Sequence, residues 1–173
     1  SANPRINTEF LAREKAQMSD QMYRQEYEAD FVTFTGSVYG EYLHDDLILR
    51  GDRVKQFLPT WPDLTGLPVL VGIDTGADHP FGALKLVSTE KGLVVVGEYL
   101  ERDKTFAEHK FNILCMAGSG SAKFAINKNE RQPMLELAQP PNSMYCQGAN
   151  NDQVAGIERV KSWLHARQLF FVE

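Results

Sequence analysis

Short apolar blocks separated by glycine, proline or polar turns fill the chain from residue 69 onward. Three blocks of strand length come first, at residues 69–74, 82–87 and 93–100, and apolar runs of this length between turn residues predict β-strands. Because only short turns join them, we expect an antiparallel meander.

Helical spacing alternates with single strands in the second half of the chain. Thr105 and Glu108 have the spacing of a capping box, so a helix is predicted from there to Gly118. A second helix is predicted between Pro133 and the Pro140-Pro141 pair, and a third after Asp152. Residues predicted to face the core are Ala107, Phe111, Leu114 and Cys115 in the first helix and Val154, Ile157, Val160 and Leu164 in the last.

Each of these helices is followed by a predicted strand, at residues 123–126, 144–146 and 169–172. The order from residue 69 is therefore three strands and then three helix–strand pairs. Parallel strands joined by helices imply an α/β fold, a mixed β-sheet flanked by helices. This order is the one found in ribonuclease H-like folds.

Residues 1–60 have a different character, with two short helical patterns followed by glycine-marked turns. The proline-rich stretch 59–68 is the best candidate for a linker. We therefore expect an N-terminal helical and irregular arm at residues 1–60 and a domain at residues 61–173.

Composition narrows the class of protein. The chain has 173 residues, 43% hydrophobic and 24% charged, which predicts one globular domain with its own core. No apolar run reaches membrane-spanning length and no signal-peptide pattern occurs, so we expect an intracellular protein. The net charge of −5 argues against avid nonspecific binding to nucleic acid.

Side chains without a metal or catalytic pattern are Cys115 and Cys146, expected to be buried, and His44, His109 and His165, expected at the surface.

Asp74 is the residue that looks catalytic, because it ends a run of apolar residues and glycine. It could simply cap the Thr75-Gly76 turn. The triplet Asp74-Thr75-Gly76 is also similar to that of retroviral aspartic proteases, but those are small all-strand dimers. The same segment resembles the first phosphate loop of the actin and sugar-kinase group, which needs a second lobe. A first-strand metal carboxylate of a ribonuclease H-like nuclease fits the predicted topology best.

Several segments together resemble one family. They are residues 25–31 and 36–39, residues 72–76, and residues 149–157 with Val160, Leu164 and Leu169. In this order and spacing they are similar to the C-terminal nuclease region of tailed-phage terminase large subunits. The resemblance implies that residues 1–60 are the end of the packaging ATPase and that residues 61–173 are a nuclease domain, incomplete at its C-terminus.

The resemblance also implies an activity and a site. The expected function is an endonuclease that cuts concatemeric double-stranded DNA by two-metal hydrolysis, with two Mg or Mn ions. Asp74 matches the first metal-binding aspartate. The second acid position holds Asn127, so either the site is altered there or Glu130 supplies the charge, and the third acid is expected beyond Glu173. An inactive chain, acting as a noncatalytic ribonuclease H-like docking domain, is the alternative.

The partners implied are double-stranded DNA, the ATPase domain of the same protein, the small terminase subunit and the portal, in the cytoplasm of an infected or lysogenic bacterial host. No membrane partner is expected. The basic residues predicted to contact the DNA backbone are Lys123, Lys128, Arg159, Lys161 and Arg167. Glu98 and Glu101 could also face the metals, although acids at strand ends are usually solvated.

Overall fold

A computed structural model describes residues 38–76, 80–118, 122–150 and 152–173. The chain divides into two compact units, Ser1–Glu41 and Tyr42–Glu173. In the first unit the structure describes only a bend and turn at residues 38–41, so the two helices predicted there lie outside the described residues. The predicted boundary at residue 60 falls inside the second unit.

A seven-stranded mixed sheet forms the centre of the second unit. Its spatial order is β1-β7-β4-β3-β2-β5-β6. Only β3 runs against its two neighbours, so the other six strands share one direction and their carboxyl ends lie at the same edge, called here the carboxyl edge. The strands are β1 (Ile48–Leu49), β2 (Val69–Asp74), β3 (Phe81–Thr89), β4 (Gly92–Glu101), β5 (Lys123–Asn127), β6 (Cys146–Ala149) and β7 (Leu169–Val172).

Four helices of the second unit connect these strands: α1 (Asp52–Phe57), α2 (Phe106–Ala117), α3 (Arg131–Ala138) and α4 (Gln153–His165). The capping box of α2 is present, because Glu108 N–H donates to Thr105 Oγ1 at 3.3 Å and Thr105 N–H donates to the Glu108 carboxylate at 2.8 Å. Asp152 caps α4 by accepting from Ala155 N–H at 3.0 Å. None of the described helices is long and apolar enough to cross a membrane.

The last part of the predicted arm belongs to the core of the sheet unit. Strand β1 pairs in parallel with β7 at one edge of the sheet. Leu47, Leu49 and Leu58 are fully buried, and the Phe57 ring packs on Phe170 of β7 at 4.5 Å between centroids. Burying apolar side chains of this size stabilises the fold by roughly 1.5–3 kcal/mol each. The short apolar run at residues 47–49 is therefore an edge strand with its supporting turn.

Two element boundaries differ from the prediction. The strand predicted at residues 144–146 runs from Cys146 to Ala149, because Met144 is buried in the preceding loop, where its N–H donates to Leu137 O at 2.9 Å. Helix α3 begins at Arg131 and not at Pro133. Proline is tolerated there because the first-turn N–H groups of a helix have no intrahelical acceptor.

The predicted buried face of α2 is wrong. Phe111 is 62% exposed and Cys115 is exposed, whereas His109, Lys110, Ile113 and Ala117 are buried. Two polar residues therefore occupy the inner face of α2. Lys110 is satisfied there because its ammonium donates to Gln139 O.

The surface position expected for His109, and the burial expected for Val154, are also wrong. His109 lies inside, where its Nδ1 is 2.7 Å from the Tyr99 hydroxyl and its ring stacks on Phe81 at 4.3 Å. Val154 is 73% exposed, and in α4 the buried residue is Leu164. Cys146 is half-buried, and burial raises the pKa of its thiol to about 11, which keeps it protonated at neutral pH.

The sheet has one packed face and one open face. In β2, Val69, Val71 and Ile73 are buried, while Leu70 and Asp74 alternate onto the other side and are exposed. The register Asp74–Gly82–Leu100 continues that open face across β3 and β4. It carries exposed leucines, with Leu70 40%, Leu84 45% and Leu100 67% exposed.

Buried His109 predicts a pH-dependent stability. Burial, and then the charge of Lys104, lower the pKa of its imidazole, so the folded state binds this proton less readily than the unfolded state. This contribution to stability is therefore present above the pKa that His109 has in the unfolded chain, about 6.5. It is lost as the pH falls through that value toward the lower pKa of the folded chain. Melting temperatures between pH 7.5 and 5.5 should fall less steeply for His109→Phe than for the wild type. Exposed His165→Gln serves as the control, and equal slopes for His109→Phe and wild type would contradict the prediction.

Candidate functional site

Asp74 ends β2 at the carboxyl edge of the sheet. It is exposed on the open face, so its carboxylate does not carry the cost of deep burial. Gly76 N–H approaches Asp74 Oδ1 at 3.3 Å, which is the turn-capping contact expected from the sequence. This long bond occupies one oxygen and leaves the second oxygen available to a ligand.

The pairing of β2 with β5 brings a second strand end to Asp74. Ile73 lies opposite Ile126, so Asp74 and Asn127 each follow by one residue on the same face, where neighbouring strands are about 4.8 Å apart. The Asn127 side-chain oxygen accepts from Asn129 N–H at 3.0 Å, and its backbone oxygen accepts from Glu130 N–H at 2.9 Å. Asn127 therefore shapes the loop that carries Glu130.

Glu130 lies close to Asp74. The Thr75 hydroxyl donates to the Glu130 carboxylate, which ties the end of β2 to the loop after β5. Burial, and then the negative charge of Asp74, raise the pKa of Glu130. The structure thus brings together Asp74, Asn127 and Glu130. The role of Thr75 was missed from the sequence, although its place directly after Asp74 at a strand end was a usable signal.

A cavity of about 440 Å³ opens beside these residues on the open face. Its walls are mostly apolar strand residues from β2, β3, β4 and β5, with Asp74, Asn127 and Glu98 among the few polar groups. Glu98 is exposed on β4, two strands away from β2. An apolar wall beside carboxylates lowers the local dielectric and strengthens their interaction with a cation.

The donor set fits one hard divalent cation. Two carboxylates and an amide oxygen are ligand types that Mg²⁺ and Mn²⁺ accept, and the mutual repulsion of Asp74 and Glu130 favours a cation between them. Within the described ranges no group of three or more His, Cys, Asp or Glu side chains is placed to hold a metal ion.

The basic residues offered for DNA do not lie together. Lys128 is exposed at the carboxyl edge, directly after Asn127. Lys123 lies at the other end of β5, and Arg167 pairs with Asp46 at 2.7 Å. Arg159 and Lys161 lie on α4, where Lys161 pairs with Glu158 at 3.0 Å. Arg131, which follows Glu130 and is exposed, was missed from the sequence.

The mixed seven-stranded sheet flanked by helices has the ribonuclease H-like α/β architecture that the sequence predicted. Comparison with known proteins shows which proteins the chain resembles. Although no protein-family model matches the chain, it is 29% identical over 109 residues to the terminase large subunit of Escherichia phage T5. That alignment covers 62% of this chain and 24% of the T5 protein, so the chain spans about a quarter of its relative.

Solved structures give the same class of fold. The large terminase of a thermophilic bacteriophage superposes with a TM-score of 0.63 at 15% identity, over 99% of this chain and 42% of that protein. The nuclease domain of the large terminase from bacteriophage SPP1, with bound Mn, superposes with a TM-score of 0.51 at 14% identity, over 72% of this chain and 66% of that domain. These comparisons confirm the expected resemblance to the nuclease region of terminase large subunits.

The raised pKa of Glu130 predicts that its carboxylate destabilises the metal-free fold at neutral pH. Below the pKa that Glu130 has in the unfolded chain, its carboxyl group is protonated in both the folded and the unfolded state. The stability that the protonated carboxyl group contributes is lost as the pH rises through its pKa in the folded chain. In EDTA, Glu130→Gln should therefore gain melting temperature relative to the wild type at pH 7.5, but not at pH 4. The control is Glu90→Gln, an exposed glutamate in the β3–β4 turn. An equal effect of Glu130→Gln at both pH values would refute the prediction.

Proposed function

We propose that this chain is the nuclease domain of a viral DNA-packaging terminase and cuts concatemeric double-stranded DNA in a metal-dependent reaction. The observation that carries the proposal is the Asp74–Glu130 carboxylate pair at the carboxyl edge of two adjacent parallel strands. The similarity to the T5 terminase large subunit and to the Mn-bound SPP1 nuclease domain supports it.

Asp74 and Glu130 would hold a divalent ion, with the Asn127 amide oxygen as a neutral ligand. A bound Mg or Mn ion supplies Lewis acidity, which lowers the pKa of bound water and stabilises the departing oxygen of a phosphodiester. The Thr75 hydroxyl orients the Glu130 carboxylate toward the end of β2. The expected two-ion arrangement remains a prediction, and among the described residues no cluster of three or more His, Cys, Asp or Glu side chains supports it.

We also propose that the chain acts joined to a packaging ATPase. The large terminase of the thermophilic bacteriophage, of which this chain spans 41%, is known in complex with ADP, and that complex superposes with a TM-score of 0.64. Further proposed partners are the small terminase subunit and the portal, in the cytoplasm of an infected or lysogenic bacterial host. Of the five basic residues predicted to contact DNA, Lys128 directly follows β5 and is two residues from Glu130 in the sequence.

A noncatalytic docking domain is the second candidate function, and Asn127 is the observation that favours it. An amide stands at the strand end where the family resemblance implies a second acid, and its oxygen already accepts from Asn129. In this alternative, Asp74 and Glu130 would be a surface pair without a bound metal. Metal binding therefore separates the two functions.

Removing either carboxylate should weaken metal binding and cleavage. We expect Asp74→Asn and Glu130→Gln each to weaken Mn²⁺ binding, measured by titration calorimetry, at least tenfold, because one ligand charge is removed. Nicking of supercoiled plasmid in Mg²⁺ or Mn²⁺ should fall about 100-fold or more, the scale of losing an electrostatic stabiliser of the transition state. Glu90→Gln should bind metal and nick as the wild type does.

The two readouts distinguish the candidate functions. Mn²⁺ binding that depends on Asp74, together with nicking that disappears in Asp74→Asn, supports the nuclease. A wild-type chain that binds no Mn²⁺ and nicks no DNA, while remaining folded, would favour the docking domain.

Asn127 offers a gain-of-function test. Asn127→Asp adds a carboxylate at the end of β5 and keeps an oxygen that can accept from Asn129 N–H. Because affinity for hard cations rises with the number of charged ligands, the Mn²⁺ dissociation constant should fall about tenfold. An unchanged Mn²⁺ affinity would show that the side chain of residue 127 does not face the ion.

A further inference from the structure

Two cationic residues flank Glu130 where the chain leaves β5 and enters α3. Lys128 and Arg131 flank Glu130 in the sequence, and both are exposed. No hydrogen bond or ion pair of either side chain occurs within the part of the chain that the structure describes. Both positive charges are thus free for a ligand, and both residues are within two positions of Glu130 in the sequence.

The backbone that carries these cations is held on both sides. Lys128 N–H donates to Ala149 O of β6 at 3.2 Å, and Glu130 N–H donates to Asn127 O at 2.9 Å. A β-carbon added at Gly148 would lie 3.0 Å from the Lys128 β-carbon, so the backbone of β6 packs directly against Lys128. The Thr75–Glu130 hydrogen bond anchors the same loop to the end of β2.

A duplex DNA substrate brings negative phosphates to a site that is itself negative. Asp74 and Glu130 repel a phosphate, and a single divalent cation offsets only their own two charges. Further cations beside the carboxylates are therefore needed to hold the strand that is cut. Two of the other basic candidates do not supply them here, since Lys123 lies at the opposite end of β5 and Arg167 is paired with Asp46.

We propose that Lys128 and Arg131 hold the phosphates of the DNA strand on either side of the bond that is cut. Arg131 is the new assignment, and its planar guanidinium suits bidentate contact with a phosphate. The inference rests on the proposed nuclease function. It makes both residues substrate-binding groups, with no part in metal binding.

The test measures DNA affinity without cleavage. In an Asp74→Ala background with EDTA, a fluorescein-labelled 20-base-pair duplex is titrated with protein, and anisotropy is followed at several salt concentrations. We expect Lys128→Ala and Arg131→Ala each to weaken binding about three- to tenfold. The slope of log affinity against log salt should decrease by about 0.9 for each phosphate that the variant no longer neutralises.

Two variants serve as matched comparisons. Lys55→Ala removes an exposed lysine of α1, whose neighbour Gln56 contacts Lys91 in the β3–β4 turn at the opposite edge of the sheet, and should leave affinity and slope unchanged. Arg131→Lys keeps the charge and should bind the duplex more tightly than Arg131→Ala does, though less tightly than the parent chain. Mn²⁺ affinity, measured with Asp74 restored, should not weaken in any of these variants.

The outcomes separate this inference from the proposed function. If the Lys128→Ala/Arg131→Ala double variant binds the duplex with the affinity and salt slope of its Asp74→Ala parent while the wild type still nicks plasmid, the inference is overturned and the nuclease function stands. A wild type that binds no duplex at low salt also overturns the inference. Absence of metal binding and of nicking, with DNA binding still dependent on Lys128 and Arg131, would overturn the nuclease function and leave the DNA-contacting loop in place.

Discussion

The parallel pairing of β2 with β5 is the constraint on which the candidate site depends. The Ile73–Ile126 register sets Asp74 and Asn127 side by side, and the loop that leaves Asn127 then brings Glu130 to the Thr75 hydroxyl. A one-residue slip in this pairing would turn every side chain of β5 to the other face of the sheet and separate the two carboxylates. The register is fixed because Val71, Ile73 and Ile126 are buried on the packed face.

Much of this arrangement could be predicted from the sequence. Strand β2, the meander and the capped starts of α2 and α4 have local signals, namely apolar runs between turns and side chains that satisfy free backbone N–H groups. Asp74 stood out because it is a charge at the end of an apolar run. Local patterns of this kind survive in the fold because tertiary packing reinforces them.

The failures concern contacts between elements that are distant in sequence. The apolar spacing of Phe111 and Cys115 predicted a buried stripe, but α2 turns His109 and Lys110 inward because Tyr99 and the Gln139 carbonyl provide partners there. No local pattern contains those partners. Glu130, by contrast, was named from the sequence as a possible source of charge at the site, although its proximity to Asp74 depends on the strand pairing and on a loop shaped by Asn127. Arg131 was not identified, although it directly follows Glu130 in the sequence.

The effect of the net charge of −5 on DNA binding depends on where the acidic residues lie in the fold. Acidic residues at the carboxyl edge would repel DNA, yet the same residues are the ligands that a divalent cation requires. A divalent cation bound there offsets the two carboxylate charges and removes this repulsion, so DNA affinity at the site should rise when metal is bound. Attraction for DNA then depends on the exposed cations Lys128 and Arg131. The chain can thus be acidic overall and still present a positive local field to one phosphate group.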